Sequence, residues 1–375
     1  MESLSLFDLL PSEEQEKYKP IKSTDWKWTM ANDYPKEKNG LKVFSCFACG
    51  GGSTMGYKLA GCEVIGCNEI DPRMNKVYVE NHHPKYNYLQ DIREFNKRED
   101  LPEELYNLDI LDGSPPCTTF SMAGDREESW GVEKKFREGQ AKQTLDDLSF
   151  VFIETVAKLR PKVMIMENVE GLIKGEAWTY VQKIYKQLND IGYKVKHWLL
   201  KGENMGVPQT RHRVFFVATR LNFDLDKIDM SFNYEPITYG SIKTLEEKIA
   251  NGKMSVAIKQ IKKGEAISEC MKRIYGVNSG ITHRIAYESE VYPTQTAGHG
   301  DIWTISGNHP SDLDVLHCQT FPEDYILGKE KSEYICGMSV PPIMIKRIVN
   351  KLIESGLFDY KIKENLCKHK PLKKK

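Results

Sequence analysis

The sequence predicts an α/β protein built on a doubly wound, mostly parallel sheet, with a smaller irregular unit attached. Three observations carry this. Short apolar runs at 41–47, 64–68 and 163–169 alternate with amphipathic helical patterns. The runs stop at glycines or carboxylates, as strands do where a sheet presents its carboxyl edge to a ligand. From Leu221 onward strands are short, glycines irregular and lysines frequent.

The 375 residues can bury a sizeable core in one large or two moderate domains. No apolar run approaches the roughly 20 residues of a membrane helix, and Met1-Glu2-Ser3-Leu4-Ser5-Leu6-Phe7-Asp8 lacks the basic start of a secretory signal, so a cytoplasmic protein is expected, with no membrane partner. Nine cysteines, at 46, 49, 62, 67, 117, 270, 318, 336 and 367, form no repeated spacing. Neither a disulfide framework nor a metal site is expected, although Cys46 and Cys49 make an isolated CxxC. Lys plus Arg and Asp plus Glu both number 53, so a nucleic-acid partner would have to be met by a local basic face.

Residues 1–40 are polar and proline-dotted, which predicts an extension outside the core. Leu41-Lys42-Val43-Phe44-Ser45-Cys46-Phe47 reads as the first strand and runs into Ala48-Cys49-Gly50-Gly51-Gly52-Ser53-Thr54. A glycine cluster between strand and helix lets backbone amides approach a ligand at the positive end of the helix dipole. A second strand, Val64 to Asn68, ends in Glu69-Ile70-Asp71. An acid about 20 positions beyond a glycine turn is placed to accept hydrogen bonds from ribose hydroxyls, so the pair reads as an adenosine site. Tyr88-Leu89-Gln90-Asp91-Ile92 ends a third strand with a further acid, suited to an adenine amino group.

Asp109-Ile110-Leu111-Asp112-Gly113-Ser114-Pro115-Pro116-Cys117 is a buried strand breaking off into a rigid turn that presents one thiol. Taken alone, a structural cysteine in a proline-rich loop explains it as well. Residues 124–142 have the composition of a mobile surface loop, and Leu148, Val151, Phe152, Val156 and Leu159 mark an amphipathic helix. Pro161-Lys162-Val163-Met164-Ile165-Met166-Glu167 reads as a central strand covered on both faces and ending in a carboxylate. Val181, Ile184, Tyr185, Leu188 and Ile191 mark a helix closed by Gly192. Two strands follow, 194–200 and 213–218, and Arg211 and Arg213 stand two apart at the mouth of the second, on one face. Residues 243–273 hold eight Lys or Arg against four Glu. Cys336 to Pro342 opens a helix carrying Ile345, Ile348, Val349 and Leu352, expected to return to the first domain.

In order and spacing, Phe47 to Gly56, Glu69, Asp91, Gly113 to Gly124, Glu167-Asn168-Val169, Gln209 to Arg213 and Ser339-Val340-Pro341-Pro342 resemble the motif series of DNA cytosine-5 methyltransferases of bacterial or phage restriction-modification type. The resemblance covers about 41–355 and implies a Rossmann-like S-adenosylmethionine-dependent methyltransferase domain with a mixed, mostly parallel sheet, plus a smaller target-recognition domain. The boundaries expected are an extension 1–40, a catalytic domain 41–220, a recognition domain and hinge 221–332, a returning helix 333–358 and a basic tail 359–375.

The resemblance further implies that Phe47, Gly50, Gly51, Gly52, Glu69, Ile70, Asp91, Ile92, Pro116, Leu148 and Ser339 bind S-adenosylmethionine, while Cys117, Glu167, Arg211 and Arg213 surround the target cytosine. No metal is implied. Three positions depart from the pattern: Cys49 stands where a glycine is usual, Thr118 follows the nucleophile where glutamine is common, and Met338 replaces an asparagine before Ser339. The chemistry needs these residue types. Adding the Cys117 thiolate to C6 of cytosine makes C5 nucleophilic, a nearby arginine raises the thiolate fraction, and Glu167 protonates N3 if burial lets it hold a proton. The base must first be flipped out of the duplex, with 124–142 as the closing loop and 221–300 reading sequence.

Double-stranded DNA is the expected partner, a cognate restriction endonuclease is a candidate companion as a separate protein that the sequence does not decide, and a monomer suffices because one flipped base needs one site. Ser3-Leu4-Ser5-Leu6-Phe7 resembles motifs that bind the replication sliding clamp, without their leading glutamine; a frayed helical turn explains it as simply. The alternatives are methylation of transfer RNA, whose usual Cys-Phe-Thr stretch is missing, and a non-catalytic DNA-binding relative, which would have lost the thiol or the acid.

Overall fold

A computed structural model describes residues 19–116, 148–298 and 301–361. Seven strands form one sheet in the order β3-β2-β1-β4-β5-β7-β6. They are β1 (Lys42–Cys46), β2 (Glu63–Glu69), β3 (Tyr86–Leu89), β4 (Ile110–Gly113), β5 (Val163–Val169), β6 (Lys194–Lys201) and β7 (His212–Thr219). The first five pair in parallel, and β7 runs antiparallel to both β5 and β6. Helices α1 (Gly52–Leu59), α2 (Pro72–His82), α3 (Ile92–Lys97), α4 (Leu148–Leu159) and α5 (Trp178–Asp190) cross between strands.

The central strands are apolar throughout because alternate side chains enter different layers. Val43, Ile110, Ile165 and Val217 join one cluster, while Phe44, Leu111, Met164, Met166 and Phe216 join the other. Complete burial of such a side chain contributes about 1.5–3 kcal/mol, so the sheet's two faces hold much of the stability. Pro72 sits in the first turn of α2, and the Asp71 side chain accepts from the Arg73 amide at 2.9 Å, which fixes where that helix begins.

Residues 239–310 pack into two small clusters, one with Tyr239 and Tyr292 against Cys318, the other with Ile258, Met271 and Trp303. Short helices α6 (Lys253–Ile258) and α7 (Ile267–Tyr275) accompany two strand pairs: β8 (Glu247–Lys248) antiparallel to β11 (His309–Pro310), and β9 (Arg284–Ala286) parallel to β10 (Ile302–Thr304). Then come α8 (Asp312–Cys318), α9 (Ser332–Met338) and α10 (Pro342–Glu354).

Three expectations are corrected. Residues 19–34 do not lie outside the core: Trp28 is buried in the first cluster and donates from Nε1 to the Thr320 carbonyl at 2.9 Å. Asp25 ties the same segment to Arg347 of α10 at 2.8 Å. The third strand ends at Leu89, and Asp91 instead caps α3 by accepting from the Arg93 amide at 2.8 Å. The returning helix is two helices, because Pro341 and Pro342 break the chain after Met338. Its second half does pack on the catalytic sheet's first helix, so closely that a Cβ on Gly56 would stand 2.5 Å from Ile345 Cβ.

Candidate active site

The carboxyl ends of β1, β2 and β4 converge on a cleft lined by Phe47, Asn68, Glu69, Ile70, Asp91, Ile92, Pro116 and Leu148. Apolar faces alternate there with two acids. The Glu69 carboxylate, 7% exposed, accepts from the Cys49 amide at 2.7 Å and from the Ile70 and Asp71 amides at 2.8 Å. Burial raises its pKa while these three backbone donors oppose the shift. Glu69 thus pins the turn after β1 to the end of β2 before any ligand arrives.

Asn68 was not anticipated. Its amide donates to the Tyr88 and Gln90 carbonyls at 3.1 and 2.9 Å, holding the β2 and β3 ends together under the cleft. A polar residue ending an apolar strand beside Glu69 is the signal that marks it.

The fold itself gives the glycines a further reason, beyond close approach to a ligand. A Cβ on Gly50 would meet Ile335 at 2.6 Å, one on Gly51 would meet His82 Nε2 at 1.9 Å, and one on Gly52 would meet the Val340 carbonyl at 2.2 Å. The chain's own side chains and backbone, not only a ligand, fill the space. Gly51 also has φ +85°, whereas Phe47 and Cys49 adopt positive φ of 55° and 46° without being glycine, so local strain is stored beside the cleft. Burial pushes the Cys49 thiol up to about 12, which leaves it inert.

Close packing against Gly52 brings Ser339 to this turn. Among the described residues its buried Oγ has no conventional hydrogen-bond partner, the Cys49 thiol being its polar neighbour. An orphan hydroxyl, a tight glycine turn, two acids and apolar walls fit a ligand with a polar amino-acid end, a ribose and an adenine.

Cys117 lies outside the described residues, as do 124–142, the Ser3 to Phe7 motif and 362–375. The approach to Cys117 is described: Pro115 and Pro116 follow β4, and Asn168 Nδ2 donates to the Pro115 carbonyl at 3.3 Å. Beside that contact Glu167 Oε1 accepts from Arg213 Nε at 2.8 Å, both side chains being largely buried. Burial lowers the Arg213 pKa and Glu167 opposes the shift. Arg211 is placed differently. It donates to the carbonyls of Gln295 at 3.0 Å, Gly337 at 3.1 Å and Ser339 at 2.9 Å, tying β7's entry to the segment before α10. Burial pushes its guanidinium down to about 9, so it remains charged at neutral pH.

A buried amide network runs alongside. Gln209 donates to Gln319 Oε1 at 2.8 Å and accepts from the Gln295 amide at 3.0 Å, and Gln319 donates to the Ser339 carbonyl at 2.7 Å. No sequence signal announced Gln295 or Gln319, which are far apart along the chain. Of the basic residues in 243–273, Lys243, Lys248 and Arg273 are held in ion pairs with Glu288, Glu333 and Glu265. Among the described residues no group of three or more metal-binding side chains occurs, and no helix is long and apolar enough to cross a membrane.

The profile of the C-5 cytosine-specific DNA methylases matches residues 41–354. The chain is 31% identical over 209 residues to the type II methyltransferase M.FnuDI of Fusobacterium nucleatum, a match that covers 56% of this chain and 55% of that one, about half its length. It is 26% identical over 352 residues to M.Bsp6I of Bacillus sp. (strain RFL6), covering 84% and 100%. The S. pombe Dnmt2 methyltransferase shares the fold, with a TM-score of 0.55 at 15% identity over 85% of this chain and 99% of the other. With most of its length matched by that profile, the chain belongs to the C-5 cytosine-specific DNA methylase family.

Proposed function

We propose that this protein transfers a methyl group from S-adenosylmethionine to C5 of a flipped-out cytosine in a specific double-stranded DNA sequence, as a restriction-modification methyltransferase. The observation that carries the reading is the Glu167–Arg213 pair beside the Pro115 turn, at the sheet edge that also bounds the cleft. When bound, S-adenosylmethionine supplies an electrophilic methyl group. Ser339 would meet its amino-acid end, Glu69 its ribose and Asp91 its adenine, with Phe47, Ile70, Ile92, Pro116 and Leu148 packing the rings.

Flipping the cytosine costs about a few kcal/mol and brings C6 to the thiol. The Cys117 sulfur forms a bond to C6, Glu167 gives N3 a proton, and the C5 carbon so activated takes the methyl. Loss of the C5 proton to water then expels Cys117 as a thiolate, and return of the N3 proton to Glu167 leaves 5-methylcytosine. Arg213 fixes Glu167 in position. Arg211 acts on backbone, steadying the site's rear wall. Sequence choice belongs to 221–300, with a monomer sufficient for the chemistry.

Incorporation of labelled methyl from S-adenosylmethionine into duplex DNA tests this reading. Wild type should label duplex DNA, and Cys117→Ser should fall to background. Labelling of transfer RNA alone would favour the RNA alternative, and equal, near-zero labelling by both proteins a DNA-binding module.

A further inference from the structure

Asp112 breaks the apolar pattern of β4: Ile110 and Leu111 are fully buried, and Asp112 in the same strand is 2% exposed. A buried carboxyl is expensive unless a cation answers it. Its hydrogen-bond partners among the described residues are hydroxyls instead. Ser45 Oγ on β1 donates to Oδ2 at 2.7 Å, the Tyr57 hydroxyl on α1 donates to Oδ1 at 3.0 Å, and Ser53 at the start of α1 adds a weaker contact. Among the described residues the titratable groups that face it are Glu167 on β5, Tyr57 on α1, Tyr78 on α2 and Cys46 on β1, none of them a cation.

These contacts join the pieces that build the cleft. Ser45 stands in register opposite Asp112 and two residues before Phe47. Ser53 and Tyr57 lie on the helix that the glycine turn opens. Pro116, on the cleft wall, follows Asp112 by four residues. An ionised carboxylate accepts from every hydroxyl at once; a protonated one must donate, and one hydroxyl has to turn away.

We propose that Asp112 is a positioning residue for the methyl donor, a carboxylate whose hydroxyl contacts lock the glycine-turn helix to the strand leading to Cys117, and whose unanswered negative charge favours a sulfonium ligand over the neutral thioether left after transfer. This rests on the cofactor reading above. Burial pushes the Asp112 carboxyl up to about 7, against the Ser45 and Tyr57 hydrogen bonds, so the charge is gained and lost within the working pH range.

Direct binding of S-adenosylmethionine and S-adenosylhomocysteine to the full chain, measured from pH 5.5 to 8.5, tests this. In wild type the affinity for S-adenosylmethionine should rise about tenfold across that range, the effect of one unit of displacement of a single linked pKa, while that for the thioether changes much less. Asp112→Asn should abolish the difference; the ligand's own amine titrates in both proteins and cancels in the comparison. Tyr57→Phe and Ser45→Ala, each removing one donor, should move the inflection to higher pH, which keeps the test intact if Asp112→Asn does not fold. Parallel profiles for both ligands in wild type, or an inflection unmoved by all three substitutions, overturn the inference. Failure of both ligands to bind wild type at any pH overturns the cofactor reading itself, and this inference with it.

Discussion

Glu167 and Arg213 are bound to each other before substrate arrives, and this defines what single substitutions should do. Glu167→Gln keeps an acceptor for Arg213 but cannot give N3 a proton as readily, so kcat should fall by about 10²–10⁴-fold with cofactor affinity unchanged, measured by steady-state methylation against equilibrium binding. Asp112 makes a second residue-scale prediction. Its carboxyl is raised from an ordinary 3.8 to about 7, so the folded state holds a proton that the unfolded chain has released between those values, and stability falls as pH rises through the window. Asp112→Asn should remove that slope: thermal melts should show its Tm gaining on wild type from pH 5 to pH 8, whereas a constant difference would exclude the titration. Gly51→Ala, with a Cβ 1.9 Å from His82 and φ +85°, should lose about 2–4 kcal/mol in denaturant unfolding. That the turn needs glycine was legible in the sequence; that His82, 31 positions away, is part of the reason was not, because only the folded chain brings them together.

At the scale of elements, the strands were legible where an apolar run met a glycine or an acid, which is why β1, β2, β4 and β5 fall where expected. The antiparallel run of β7 between β5 and β6 was not, since both neighbours of a buried strand look alike in composition. The N-terminal segment failed for the opposite reason: one buried tryptophan among polar residues gives no periodicity, yet Trp28 anchors residues 19–34 to the turn after α8 at Thr320. Trp28→Ala should therefore cost about 3–5 kcal/mol, a large-to-small core substitution, where an extension outside the core would cost nothing measurable. Asn168 ties β5 to the Pro115 turn through one hydrogen bond. Asn168→Ala should lower kcat by up to about 10²-fold with little change in unfolding midpoint, since a small misplacement of the thiol suffices.

Across the whole molecule, the cleft, the Glu167–Arg213 pair and the turn toward Cys117 share the edge where the parallel strands end. Arg211 and the Gln209–Gln319 network join that edge to residues 295 and 337–339, so the segment expected to read DNA and the segment expected to hold cofactor meet through buried backbone contacts. The central claim is that Cys117 bonds to the base at C6 and leaves only when C5 loses its proton. A duplex carrying 5-fluorocytosine at the methylated position tests it, because fluorine cannot leave as a proton does. With S-adenosylmethionine present, intact mass spectrometry should find the full chain carrying the methylated strand, with peptide mapping placing the bond at Cys117 and Cys117→Ser forming none; methylation of ordinary duplex without any such adduct, or an adduct at another residue, would contradict the account.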